Sequence, residues 1–220
     1  MARRILFFFG PPGSGKGTQA EIISKQLGLP TISTGDLLRR QSQLDSQAQA
    51  TMNQGQLISD EIINNLLNQR LAQADAQSGF ILDGYPRAKT QFDYFYQTIV
   101  QPEDRLCALE IKVNAAEVQK RLSGRRFCPQ CGAGYHLIYK PSEQLGICDN
   151  CQLALEQRAD DQPAVIQERL ILYQTAMSPL IELWQKQNEL VVINGEQDIA
   201  AVHQDIVAIL QDRGLLELKP

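Results

Sequence analysis

The chain has no apolar run of about eighteen residues, so nothing in it reads as a membrane span. Its nearest approach to a targeting signal is "ARRILFFFGPPG", two arginines ahead of an apolar run. That run, Ile5 to Phe9, is shorter than the roughly 7–15 residues of a signal-peptide core. It reads as a strand, and the protein as cytoplasmic. Strong charge of one sign is also missing. A net charge of −4 over 220 residues gives no overall basic field for nucleic acid or a membrane surface. A polyanionic substrate must therefore meet positive charge focused locally. Internal repeats and low-complexity segments are absent, and neither His nor Asp stands out as a general base. Cysteine is scarce and odd in number, at five. Four of them form two C-x-x-C pairs and Cys107 stands apart, which in a cytosolic chain favours metal over disulfides.

The length suits one α/β domain with insertions, or two small domains. Arg4 to Phe9 has the continuous apolar character of a strand buried on both faces of a parallel sheet. Similar runs recur in "LPTIS", "GFILDG", "LCALEIKV" and "ELVVING". Helical patterns lie between them. One spans Lys16 to about Gln26, with Ile22, Ile23 and Leu27 inward. Others place Ile62, Ile63, Leu66, Leu67 and Leu71, and then Ile199, Val202, Ile206 and Ile209, at helical spacing. Alternating strands and helices predict a parallel sheet with right-handed crossovers. The Gln-rich stretch from Gln41 to Gln56 reads as a short helical cap. Between Phe127 and Gln157 no helical period appears, and the segment reads as a small insert stapled by metal rather than by a core.

Chemistry concentrates in four features. "GPPGSGKGTQ", Gly10 to Gln19, nearly matches the phosphate-loop pattern G-x-x-x-x-G-K-[ST]. It lacks the hydroxyl after Lys16, where Gly17 stands, and has one a residue later, on Thr18. Its backbone N–H groups would form an anion nest at a helix N-terminus. The second feature, "FILDGYPR", ends a buried strand in Asp83, an acid able to hold Mg²⁺ directly or through water, or simply to start a turn. The third is a scatter of arginines: Arg39, Arg87, Arg121, Arg125, Arg126, Arg158 and Arg169. Their planar forks suit phosphate oxygens. Fourth, Cys128, Cys131, Cys148 and Cys151 form C-x₂-C-x₁₆-C-x₂-C, the spacing of a closed, structural Zn²⁺ site. Cys107 reads as a small buried hydrophobe.

Together, "GPPGSGKGTQA", "ISTGDLLR", "LDGYPR", "RLSGRRFCPQCGAGYH", "RADD" and "VVINGE" resemble the adenylate kinases, in the long form with a zinc-bearing lid. The resemblance implies the P-loop nucleoside-monophosphate-kinase fold, a central parallel five-stranded sheet flanked by helices, with two mobile inserts. The core would comprise residues 1–32, 59–126 and 161–220, the AMP-binding insert 33–58 and the lid 127–160. The implied reaction is ATP + AMP ⇌ 2 ADP with Mg²⁺, by a monomer.

By that resemblance Gly13, Ser14, Gly15, Lys16, Gly17 and Thr18 wrap the ATP phosphates. Arg121, Arg125, Gly134, Tyr135 and Gln197 complete the ATP site. Thr34, Arg39, Gln56, Leu57, Ile58, Gly84, Tyr85, Pro86, Arg87 and Gln91 bind AMP, and Arg158 and Arg169 clamp the phosphates. Lys16, Arg87, Arg125, Arg158 and Arg169 are the implied catalytic set. Asp83 would meet Mg²⁺ through water. Tyr85 stands where the family usually has Phe. Gly35, Gly55 and Gly124, which flank the inserts, are candidate flexible points. The alternatives are a kinase of CMP, UMP or GMP, and a zinc-dependent nucleotide sensor that does not turn over.

Overall fold

The computed structural model describes residues 2–42 and 59–216, with side chains placed except at 39–42. Five parallel strands form the main sheet: β1 (Arg4–Phe9), β2 (Thr31–Ser33), β3 (Gly79–Asp83), β4 (Arg105–Lys112) and β7 (Leu190–Asn194), in the order β2-β3-β1-β4-β7. β1 lies in the middle, pairing Phe8 with Asp83 on one side and Phe9 with Glu110 on the other. Ile5 to Phe9 are buried, because helices cover both faces of the strand. The sheet is thus the doubly wound type, whose ligand crevice opens at the carboxyl ends of the strands.

Two apolar layers sandwich the sheet. One joins Leu6, Phe8, Leu109 and Ile111 to α1 (Lys16–Leu27), α5 (Ala115–Gly124) and α7 (Ile199–Asp212). The other joins Phe7, Phe9, Phe80 and Leu82 to α3 (Asp60–Leu71) and α4 (Lys89–Tyr94). A short helix, α2 (Thr34–Ser42), follows β2 directly. The longest helix, α6 (Pro163–Lys186), serves both layers. Ile166 and Leu170 belong to the first layer, whereas Met177, Leu180 and Trp184 belong to the second. The helix therefore passes across the sheet, and its middle turns are left to face the crevice.

Among the described residues no helix is long and apolar enough to cross a membrane. The expected strand positions and the helix from Lys16 are present. Two helical faces differ from expectation. Gln19, Ala20 and Ile23 are the buried residues of α1, while Ile22 is half-buried. Ile62 is 47 % exposed, since α3 turns Ile63 and Leu67 inward. Part of the Gln-rich stretch, residues 43–58, lies outside the described residues, and so does Gly55.

The segment after α5 has little core of its own. β5 (Arg125–Phe127) pairs antiparallel with β6 (Gly134–His136), and single bridges join Phe127 to Glu156 and Ile147 to Ala154. Only Cys128, Tyr135 and Cys148 are buried at its centre. Gly124 at its entrance is packed tightly. A Cβ there would stand 2.5 Å from the His136 ring, so this glycine answers to close approach rather than to flexibility.

Trp184 anchors the second layer, stacked on Phe9 at 4.6 Å and against Phe7 at 5.6 Å. Trp184→Ala should lower the unfolding free energy by about 3–5 kcal/mol, the range for emptying a buried aromatic site. Urea denaturation measures this. A loss under about 1 kcal/mol would mean that the ring fills a site able to collapse.

Candidate functional site

The loop between β1 and α1 is built by close approach. A Cβ on Gly10 would meet the Ile111 carbonyl at 2.4 Å, and Gly15 caps α1 in the left-handed region at φ 92°. These positions admit glycine because a side chain would clash or strain the backbone. Gly17 answers to a different neighbour. A Cβ there would lie 3.2 Å from Asp83 Oδ2, so a Ser or Thr would press on the carboxylate that ends β3. The missing hydroxyl makes room for an acid.

Lys16 donates from Nζ to the Pro11 carbonyl at 3.3 Å. Desolvation lowers its pKa to about 8, with Asp83 opposing and Arg87, Arg125 and Arg169 reinforcing the fall. Lys16, Arg87 and Arg169 line one cleft together with Phe9, Tyr173 and Met177. Arg87 Nε donates to the Gly84 carbonyl at 2.7 Å. Asp161, whose side chain is fully buried, accepts from Arg125 Nε at 2.7 Å and Nη2 at 2.5 Å. It also lies 3.4 Å from Arg169 Nη1, which bonds Asp160 at 2.9 Å. Sequence reasoning took only the arginine from "RADD". The two adjacent acids in that motif were the available signal for the pair that holds Arg125 and Arg169.

Arg121 donates to Glu117 Oε1 at 2.8 Å and to the Ser14 carbonyl of the glycine loop at 3.4 Å. Arg158 sits over the Phe127 ring, 5.6 Å from its centroid, and 4.0 Å from Asp36. Gly13, Ser14 and Thr18 belong to the loop and the first turn of α1. Arg126 bonds only backbone carbonyls nearby in the contacts observed, at Ser123 and Arg125. Gly134, Tyr135 and Gln197 stand apart from the residues that line the cleft. Gln197 bonds Asp205 at 2.7 Å on the surface.

On the other side of the cleft, Thr34 donates to the Gly84 carbonyl at 3.2 Å. Tyr85 is buried, and its hydroxyl meets Asn64 Oδ1 at 2.8 Å and the Gln91 carbonyl at 3.1 Å. Its hydroxyl thus has polar partners that the usual Phe would leave unserved. Pro86 follows in the same cleft wall. Gln91 is bound at both ends of its amide, by Arg87 N–H and by Asp60. The Arg39 side chain and Gln56, Leu57 and Ile58 lie outside the described residues.

The four cysteine sulfurs lie within 4.8 Å of one another. Cys128 and Cys151 are 3.2 Å apart, Cys148 and Cys151 3.5 Å, Cys131 and Cys148 3.6 Å, and Cys131 and Cys151 3.8 Å. A tetrahedron with Zn–S bonds of about 2.3 Å has edges of about 3.8 Å. The donor set therefore fits a closed structural zinc site, and none of the four is in a disulfide. The Tyr135 hydroxyl, 3.4 Å from Cys148 Sγ, is the main reason that thiol is pushed down to about 6. Cys107 is buried in β4, where desolvation pushes its thiol up to about 11.

Comparison with known proteins bears on this arrangement. The adenylate kinase family profile matches residues 8–189. The chain belongs to the adenylate kinase family. It is 42% identical over 212 residues to the adenylate kinase of Trichlorobacter lovleyi, covering 93% of this chain and 98% of that protein. It is 40% identical over 211 residues to that of Archaeoglobus fulgidus, covering 94% and 97%. For Methanocella arvoryzae the match is 39% over 208 residues, covering 92% and 96%. The fold is the P-loop nucleoside-monophosphate-kinase fold of that family, and the cysteine cluster is consistent with its long-form lid.

Two outcomes test the site's chemistry. Cys148→Ser, or chelation, should lower the melting temperature and release zinc, because thiolate-bound zinc contributes folding free energy. Activity at moderate temperature should largely survive, and Cys107→Ser should release no metal. Metal content far below one Zn²⁺ per chain in protein purified without chelator would count against the site.

The lowered Lys16 pKa carries a sign of its own. Below about 8 the free protein already holds this proton, and a phosphate bound there would meet the charged lysine. Above it the free protein loses the proton while bound phosphates raise the pKa again. ATP affinity should therefore be level below pH 8 and fall above it, by up to about tenfold per pH unit. At pH 9, calorimetry in buffers of different ionisation enthalpy should show proton uptake on binding, abolished in Lys16→Met. Equal uptake in the two proteins would refute the assignment to Lys16.

Proposed function

We infer that the chain transfers the terminal phosphoryl group of ATP reversibly to AMP, giving two ADP. The observation that carries this reading is the cleft at the sheet's carboxyl edge. It gathers Lys16, Arg87 and Arg169 beside the glycine loop in a chain of the adenylate kinase family. The acceptor is itself a phosphate, deprotonated near neutral pH, so no general base is needed. Positioning and charge stabilisation can supply the chemistry. Lys16 and the loop N–H groups hold the ATP phosphates from below. Arg125, Arg158 and Arg169 hold the transferring group from the lid side, and Arg87 the AMP phosphate. Arg121 flanks the ATP base, with Gly134, Tyr135 and Gln197 nearby once the lid closes. Thr34, Arg39, Gln56, Leu57, Ile58, Gly84, Tyr85, Pro86 and Gln91 surround AMP.

Mg²⁺ would neutralise phosphate charge and arrive with ATP. Asp83 suits its water shell, since the carboxylate lies against position 17 at the start of α1. The lid is residues 127–160 and the AMP insert 33–58. Both close over substrate to exclude water, the competing acceptor. We place the enzyme in the cytoplasm, as a monomer.

A coupled assay of ADP formation from ATP and each monophosphate tests the reading. AMP should exceed CMP and UMP in kcat/KM by at least about a hundredfold, because unpaired groups at a base edge are penalised. Lys16→Met should keep the fold and lose several orders of magnitude in turnover. Equal use of CMP or UMP would move the assignment to another monophosphate kinase, and no turnover with any acceptor would favour a sensor.

A further inference from the structure

Gln91 is 3 % exposed, and its amide is committed in a fixed sense. The Arg87 backbone N–H donates to Gln91 Oε1 at 2.8 Å, and Gln91 Nε2 donates to Asp60 Oδ1 at 2.6 Å. The other Asp60 oxygen accepts from the Thr90 hydroxyl. An ionised carboxylate only accepts, and a backbone N–H only donates. Rotating the amide by half a turn would set NH₂ against N–H and carbonyl against carboxylate, two mismatches in a buried place. Among the described residues, these bonds leave one N–H and one carbonyl lone pair of the amide for a further partner.

That fixed sense matters because purines differ in the same respect. Adenine presents an amino donor at C6 beside the N1 acceptor. Hypoxanthine presents a carbonyl acceptor at C6 beside an N1–H donor. A glutamine free to turn over could serve either edge. A glutamine held in one sense serves one of them.

We propose that Asp60 is a specificity-determining positioning residue: with the Arg87 backbone N–H it locks the Gln91 amide, so that the acceptor site favours a 6-aminopurine over a 6-oxopurine monophosphate. The inference rests on the reading of Gln91 as the residue that meets the acceptor base. Asp60 occupies the first turn of α3 and Gln91 the first turn of α4. The lock therefore joins two helices of the second layer, next to Arg87 of the cleft wall.

The test compares AMP with IMP, which share ribose and phosphate. Steady-state kinetics would be run on the parent protein, Asp60→Asn, Asp60→Ala and Gln91→Ala. Asp60→Asn keeps the shape and hydrogen-bonding capacity but can itself turn over, so it no longer enforces one sense. The ratio of kcat/KM for AMP over IMP should fall at least about tenfold in both Asp60 variants, as expected when a buried mismatch is removed. KM for ATP and the melting temperature of Asp60→Asn should stay near the parent's. A merely structural role for Asp60 predicts instead that Asp60→Asn restores the parent ratio, and that result overturns the proposal. If Asp60→Ala does not fold, Asp60→Asn decides alone. A ratio that falls in Gln91→Ala but stays within about twofold of the parent in both Asp60 variants would defeat the lock while leaving Gln91 as the reader. An unchanged ratio in Gln91→Ala, or a parent that uses IMP as well as AMP, would overturn the reading of Gln91 and the lock with it.

Discussion

Crowded positive charge is the constraint on which the site depends. Arg87, Arg125 and Arg169 all press on the Lys16 proton, and desolvation presses harder. Such a cluster is tolerable only where anions compensate it. Asp161 and Asp160 do so on the α6 side, by taking Arg125 and Arg169 in charged pairs. Lys16 donates to the Pro11 carbonyl and feels the charge of Asp83, and Arg87 donates to the Gly84 carbonyl. On the proposed reading, phosphate oxygens would relieve the remaining crowding as they bind. Arginine at three of the four positions keeps the field constant with pH, because a guanidinium does not lose its proton. Lysine at the fourth is the group that can respond.

The same cluster explains why one helix must cross two layers. Arg169 lies on α6 within the part that packs with α1 and α7, next to Leu170, and faces the cleft. A charged turn there costs no core volume, because it faces the crevice. The insert after α5 has the opposite problem. A segment of this size buries too little apolar surface to hold itself together. Ile138 and Leu145 remain 71 % and 77 % exposed. Four sulfurs in a tetrahedral arrangement replace the missing core. A metal held there would serve the stability of the insert, while of the arginines at its two roots Arg125 pairs with Asp161 and Arg158 lies over the Phe127 ring.

How much of this was legible follows from where the information lies. β1 and β3 are legible because burial on both faces leaves an unbroken apolar run, and the cysteine spacing carries its chemistry in any fold. The inward faces of helices were legible to within a residue or two. Period alone does not say which edge of a stripe meets the sheet, so Ile62 is outside and Gln19 inside. Gln19 is tolerated there because its amide bonds the Ile199 carbonyl at 2.8 Å. Asp161, Asp60 and Asn64 were missed because each acts through a partner distant in sequence. Asp60 meets Gln91 across 31 positions and Asp161 meets Arg125 across 36. Gly124 carries a packing requirement that its sequence neighbours do not show. Its requirement comes from the His136 ring of the neighbouring strand, not from its own dihedral freedom.

The departure at Gly17 draws these strands together. The phosphate-loop pattern asks for a hydroxyl there to bind the metal. In this fold β1 and β3 are adjacent, and Phe8 pairs with Asp83. Their register carries the Asp83 carboxylate to within 3.2 Å of where a Cβ on residue 17 would stand. A side chain at position 17 would therefore pack tightly against that carboxylate, and glycine avoids the contact. A single acid near a cluster of cations holds a hard divalent ion weakly, since such ions need several oxygens and shed water reluctantly. Substrate phosphates supply those oxygens. On the proposed reading, the metal would be retained mainly together with the nucleotide. Read this way, the absence of a hydroxyl at position 17 would shift the metal's dependence from the protein to the substrate.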